Sequence, residues 1–102
     1  MINIRTLKKL SNNDGLTLKG GKPISYKTGY QVATEGQETP DINTAMQMIK
    51  AYEGNCGVWY ADGIYYIDKS HREATKSKAL DLGRACNQIS ILKWADMSLI
   101  YC

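Results

Sequence analysis

The aromatic side chains are the residues of this sequence best suited to binding. There are seven Tyr, two Trp and no Phe, so every ring also carries a polar group. Such rings stack on the bases of single-stranded nucleic acids, and Tyr and Trp are enriched in the hot spots of protein interfaces. The segments predicted below as strands contain, among others, Trp59, Tyr60, Tyr65, Tyr66 and Trp94. They predict either a binding surface or half-buried strand residues that fill a small core.

Basic side chains are the second candidate for binding. Lys19 and Lys22 flank a Gly-Gly pair, and a second basic group of Lys69, Arg72, Lys76 and Lys78 precedes a predicted helix. Six basic residues and one acid give residues 1–30 a net charge of +5. One basic residue against six acids gives 31–68 a charge of −5, and six against three give 69–102 a charge of +3. This segregation could steer a charged partner, although solvated loop charge is the alternative.

Catalytic and metal-binding patterns are weak. Cys56 and His71 could form a nucleophile and its base, but no local signature surrounds either residue. With one His and no two cysteines within four positions, the zinc-ligand spacing is missing, so no metal or cofactor is expected. The glycine pair at 20–21 lacks the downstream residues of a phosphate-binding loop. The sequence therefore predicts a protein that is not an enzyme.

Periodicity and turn residues predict the elements that must position these side chains. The expected order is a helix over 3–10, a hairpin with arms 16–19 and 23–26, a strand over 29–34, a helix from 42 to 52, strands over 56–60 and 64–68, a helix from 76 to about 87, and a hairpin with arms 89–94 and 98–102. Thr39 or Asp41 is expected to cap the second helix and Thr75 the third, while Gly54 ends the second. An Asp-Gly pair within 61–63 favours a tight hairpin, and neighbouring strand residues such as Tyr65 and Tyr66 are expected on opposite faces.

This order predicts an α+β fold. From residue 29 onward it is a βαββαββ sheet with two helices on one face, preceded by a short helix and hairpin. Two arrangements fit it: a ferredoxin-like split βαβ sheet, or two paired αββ units. A chain of 102 residues has room for a single domain, with 1–28 as an N-terminal extension and 29–102 as the core.

Composition indicates the class of protein and its compartment. Hydrophobic residues make up 43% and charged residues 23%, which is typical of a globular protein. No apolar run reaches the length of a membrane span, and the first ten residues do not resemble a secretory signal. Three widely spaced cysteines, at 56, 86 and 102, do not suggest a disulfide framework. A reduced, cytoplasmic protein with no membrane association is therefore expected, and its oligomeric state is left open.

Three segments resemble a known group of proteins. They are GYQVAT from Gly29, GVWYADGIYYID from Gly57 and ALDLGRACNQISILKW from Ala79. Together they are similar to small accessory proteins encoded by bacteriophages and other bacterial mobile elements. The resemblance covers about residues 29–102 and transfers no functional residue. It implies an accessory role, of which one known kind is inhibition of a host defence by binding a host protein.

Two functional hypotheses follow. The first is a non-enzymatic binding protein of phage or mobile-element origin that inhibits a host defence nuclease, as anti-CRISPR proteins do, through protein contact. The second is a single-stranded nucleic-acid-binding protein that uses aromatic residues on an open sheet face. The candidate contact residues are Trp59, Tyr60, Tyr65, Trp94, Lys19 and Lys22.

Overall fold

The protein has an α+β fold, seen in a computed structural model that describes residues 3–102. The elements are α1 (Ile4–Lys8), β1 (Asp14–Lys19), β2 (Lys22–Pro23), β3 (Tyr30–Thr39), α2 (Ile42–Ala51), β4 (Cys56–Ala61), β5 (Ile64–Glu73), α3 (Lys76–Ala85), β6 (Ser90–Lys93) and β7 (Ser98–Tyr101). The predicted fold class and the predicted order of elements are confirmed.

The strands form one seven-stranded sheet in the order β2-β1-β4-β5-β3-β6-β7. Helix α2 connects β3 to β4, and β5 lies between these two strands. Helix α3 connects β5 to β6, and β3 lies between them. Both crossovers therefore have a strand inserted between the strands they join, which is the split βαβ pattern.

The contacts between residues divide the described chain into two compact units. The first contains residues 3–24 and 36–69, and the second contains 25–35 and 70–102. Strands β3 and β5 each contribute one part to the first unit and another part to the second. The single domain with an extension over 1–28 stays a prediction, but β1 from that segment pairs with β4 in the first unit.

The core of the first unit lies between two helices and one face of its strands. Leu7 of α1 and Ile49 of α2 are fully buried, and they pack with strand residues that include Val58 and Ile67. Burial of this apolar surface is the main stabilising contribution, at roughly 25 cal/mol per Å². Because strand side chains alternate between faces, this packing assigns the other set of residues on β1, β4 and β5 to the opposite face.

A two-residue turn sets the register of the β4–β5 hairpin. Asp62 and Gly63 have φ angles of 52° and 78°, as a type I′ turn requires. Ala61 therefore pairs with Ile64, and Trp59 pairs with Tyr66. The turn is one residue shorter than the predicted connection over 61–63, so β4 extends one residue further than expected.

Side-chain and backbone caps fix the ends of α2. Asp41 is the N-cap, where its carboxylate accepts from the backbone N–H of Thr44 at 2.8 Å, whereas Thr39 is buried and accepts from the N–H of Asp41. At the other end the Gly54 N–H donates to the Ile49 carbonyl, which is the Schellman arrangement. No helix within residues 3–102 is long and apolar enough to cross a membrane.

Helix α3 begins and ends in the same way. Thr75 is its N-cap, as predicted, and accepts from the N–H of Lys78 at 3.3 Å. Asn87, with φ 58°, follows the helix, and the N–H of Gln88 donates to the Gly83 carbonyl. In the second unit Ala79 of α3 packs on Val32 and Ile91, and these three buried residues form a separate core cluster.

Strands β3 and β5 each extend five residues past their predicted ends. Strand β3 continues through 35–39, beyond the predicted end at 34, and β5 continues through 69–73, beyond the predicted end at 68. The polar side chains of these segments have distant partners: Gln37 donates to the Tyr52 hydroxyl, and Gln31 donates to Ser70. Gln37 is exposed and keeps contact with water as well, whereas the half-buried Gln31 and Ser70 satisfy each other.

Candidate functional site

The first unit has a sheet face that none of its described helices covers. We call this the open face. It consists of the residues that alternate with the buried ones on β1, β4 and β5, and the strand register arranges them in rows. One row contains Gly15, Trp59 and Tyr66, and the next contains Thr17, Gly57 and Asp68.

Trp59 is the largest apolar side chain on the open face. It is 45% exposed, although Trp is usually well buried in folded proteins. Its indole lies across β1, where a Cβ at Gly15 would come within 2.7 Å of the indole Cε3. Tyr66 stands opposite Trp59 on β5 and is half-buried. The two rings therefore present an aromatic row beside the backbone of a glycine.

A recess lies next to this row, above Gly57. Apart from Gly57 itself and its two chain neighbours, no atom of residues 3–102 lies within 4 Å of the position that a Cβ would occupy there. Its partners in the register are Thr17 on one side and Asp68 on the other. The absence of a side chain at Gly57 thus leaves space beside the aromatic row, in the same row of the sheet as Asp68.

Asp68 is the acidic group of the open face. Its carboxylate lies over Gly36, where any Cβ would collide with Oδ1. Within residues 3–102 it accepts no hydrogen bond and forms no ion pair. Every fully buried polar side-chain atom in this range has a hydrogen-bond partner, so the unpaired oxygens of Asp68 must be in contact with solvent. Partial burial raises the pKa of this carboxyl above its usual value of 3.8.

The lysines predicted as contacts lie at one end of the open face. Lys19 follows Thr17 by two positions on β1, and Lys22 is its register partner on β2. Both are exposed, and both point to the same side as Trp59 because directly paired residues share a face. In the second unit, Arg72 lies 4.8 Å from the centre of the Tyr26 ring and donates to the Thr28 carbonyl.

Three of the predicted aromatic contacts lie elsewhere. Tyr60 points to the helix side of the first unit, where its ring lies 4.6 Å from that of Tyr65, which is only 8% exposed. Trp94 is 4% exposed in the second unit, and its indole N–H donates to Gln31 at 3.1 Å. The expectation that Tyr65 and Trp94 are available for docking is therefore wrong, because both rings are part of the packed interior.

Tyr66, Gly57 and Asp68 are the site residues that sequence reasoning did not select. The signal for Tyr66 was the Asp-Gly pair, because a two-residue turn at Asp62 pairs Trp59 with Tyr66 instead of Tyr65. The same register places Gly57 beside Asp68. That the carboxylate has no partner could not be read from the sequence, since it depends on every side chain around it.

The environment of Cys56 does not favour nucleophilic chemistry. This side chain is fully buried, and burial together with the charge of Asp68 raises the pKa of its thiol to about 11. It is therefore protonated at neutral pH, whereas the thiolate is the nucleophile. His71 is exposed, and residues 3–102 contain no group of three His, Cys, Asp or Glu side chains placed to hold a metal ion.

Comparisons with protein-family models, with curated proteins and with solved structures found no match for this chain.

Proposed function

We propose that this protein is a non-enzymatic binding protein of phage or mobile-element origin that contacts a host protein through its open face. The proposed target is a nuclease of a host defence system, and the proposed compartment is the host cytoplasm. The origin rests on the resemblance of residues 29–102 to phage and mobile-element accessory proteins. The contact rests on the open face, and one observation carries it, namely the exposure of Trp59.

Trp59 is suited to anchor a partner because it offers a large apolar surface and loses little conformational entropy when it is covered. An indole has two side-chain torsions, and this one already lies against Gly15. A partner that covers the ring would therefore gain apolar burial while ordering little, which is how Trp comes to dominate many interfaces. Loss of such an anchor typically costs about 2 kcal/mol or more of binding free energy.

Affinity capture from a bacterial lysate tests the contact. The immobilised protein should retain a specific set of proteins that a Trp59→Ala variant loses, with mass spectrometry as the readout. Tyr101→Ala is the matched control, because Tyr101 is a 72% exposed aromatic residue of the second unit. Equal retention by the wild type and Trp59→Ala would contradict the proposal.

Phage plating tests the function. Expression of the protein in bacteria that carry a nuclease-based defence should restore plaque formation by a phage that the defence restricts. Trp59→Ala should restore much less, at equal protein level. If no defence of this type in a representative panel is relieved, the inhibitor function is wrong even where a partner is captured.

Binding of single-stranded nucleic acid is the second candidate, favoured by the exposed pair Lys19 and Lys22 on the side of Trp59. It predicts a rise in fluorescence anisotropy of a labelled oligonucleotide at about 50 mM salt and a steep loss at higher salt, because phosphate contacts release counterions. The unpaired Asp68 opposes this mode, since a carboxylate repels phosphate. We expect no binding at low salt.

A further inference from the structure

We propose that the recess above Gly57 is a subsite for an arginine side chain of the protein partner, with Asp68 as its counter-charge. This inference rests on the proposed protein-binding function and specifies the chemistry of the partner. It concerns three neighbouring features of the open face: the space above Gly57, the rings of Trp59 and Tyr66, and the carboxylate of Asp68.

The unpaired carboxylate of Asp68 favours a cationic ligand. Charged side chains that lose water on folding are ordinarily paired or hydrogen-bonded. Asp68 is half-buried and has neither kind of partner within residues 3–102, yet its oxygens remain in contact with solvent. A cationic group that entered the recess would provide the ion pair and the hydrogen bonds that the Asp68 carboxylate lacks. The raised pKa of Asp68 is consistent with this deficit.

The recess above Gly57 has space for a cationic side chain. Gly57 is the register partner of Asp68, and no atom of the described chain occupies the position of its Cβ. The next row along the strands is the aromatic pair Trp59 and Tyr66. The carboxylate is turned towards Gly36 on β3, on the other side of β5 from Gly57. A side chain that enters above Gly57 must therefore be long enough to reach across β5 while its stem lies beside the rings.

Arginine fits this combination better than lysine does. Its guanidinium is planar, stacks on aromatic faces, is weakly hydrated and can donate two parallel hydrogen bonds to one carboxylate. An ammonium group would lose more hydration and could not match the carboxylate with two donors. The complementary charge also disfavours a phosphate backbone in the same place, so a protein is the favoured source of the ligand.

Titration with a single arginine analogue tests the subsite directly. The probe is Nα-acetyl-arginine methylamide, and its neutral isostere, the citrulline derivative, is the control. Binding should be weak, on the order of millimolar, because one side chain gives little affinity alone. Two-dimensional NMR should show saturable shifts of the Gly57 amide and the Trp59 indole N–H with the arginine probe only. Equal shifts with both probes, or none with either, would overturn the proposal.

Two substitutions sharpen the test. Asp68→Asn removes the counter-charge and should weaken binding of the probe by about tenfold or more, because a charge-assisted pair is lost. Gly57→Val fills the recess and should abolish binding while the fold is retained, since the space is empty and the backbone φ there is not positive. Asp62→Asn is the matched control at an exposed turn position that also accepts Asn, and it should bind as the wild type does.

Failure of the subsite and failure of the proposed function give different results. Suppose that Trp59→Ala loses the captured partner while Asp68→Asn and Gly57→Val keep it. The docking face then stands and the arginine subsite is wrong. If the arginine probe binds as described but no lysate protein depends on Trp59, the subsite stands and the proposed function is wrong.

Discussion

Asp68 carries a charge that folding makes less favourable. Its carboxylate is partly buried without a partner, and its pKa lies above the ordinary value of 3.8. Asp68→Asn should therefore raise the free energy of unfolding at pH 7, because the amide has no charge to desolvate. Urea denaturation of the two proteins at pH 7 measures the difference. A less stable Asp68→Asn variant would mean that the carboxylate has a favourable role in the free protein.

The sign of the pH dependence follows from the same shift in pKa. Between 3.8 and the folded pKa the native state binds more protons at Asp68 than the unfolded state does, so this group favours folding as pH falls through that window. The stability advantage of Asp68→Asn over the wild type should be largest above the folded pKa and should shrink below it. If the stability advantage of Asp68→Asn stays constant from pH 7 to pH 3, the pKa of Asp68 is not raised by folding.

At the scale of single residues, the sequence predicted the exposed ring but not its surroundings. Trp59 was selected as a contact because of its type, and it does lie on the surface. Tyr65 was selected and Tyr66 was not, although residue type does not distinguish the two; the register of the hairpin does, because it pairs Trp59 with Tyr66. The recess above Gly57 was not predictable, since it depends on which way the side chain of Asp68 turns.

The C-terminal end of α2 contains a backbone conformation that its residue does not prefer. Glu53 has φ 57° at the position after the helix, where glycine or asparagine is usual. Glu53→Gly should raise the free energy of unfolding by about 0.5–1 kcal/mol, since relief of the left-handed strain exceeds the entropic cost of glycine.

Thermal and urea unfolding of Glu53→Gly and Glu53→Ala separate conformation from charge. The Ala variant removes the carboxylate but keeps the strain, so it should remain close to the wild type. A gain of similar size in both variants would assign the effect to charge instead of to the backbone.

Helices were easier to predict than strands for a physical reason. A helix end depends on residues next to it in the sequence, and Asp41 and Thr75 are the caps that such residues predict. The length of a strand depends on partners far along the chain. Residues 35–39 are mostly exposed, yet they continue β3, which lies between β5 and β6 in the sheet. Pattern alone does not reveal that pairing.

On the scale of the whole molecule, two separate core clusters are connected by two continuous strands. Ile49 belongs to one cluster and Ile91 to the other, whereas β3 and β5 contribute residues to both units. Unfolding either unit would disrupt strands that the other needs. We therefore expect one cooperative transition, as is usual for a chain of this length.

Substitutions in each cluster test this cooperativity. Ile49→Ala and Ile91→Ala should each lower the free energy of unfolding by about 2–5 kcal/mol, and both should shift the same calorimetric transition. Should an alanine variant fail to fold, valine at the same position removes one methylene and costs about 0.5–1.5 kcal/mol. Two transitions, of which each variant moves only one, would show that the units unfold independently.

The interleaved path of the chain affects how a contact region can be mapped. Each unit is assembled from two stretches of sequence, so no cut at a single peptide bond releases either of them whole. A fragment that starts at residue 29 would lose β1, which leaves one edge of β4 unpaired beneath Trp59. Loss of partner binding in such a truncated protein would report the collapse of the scaffold instead of the location of the interface.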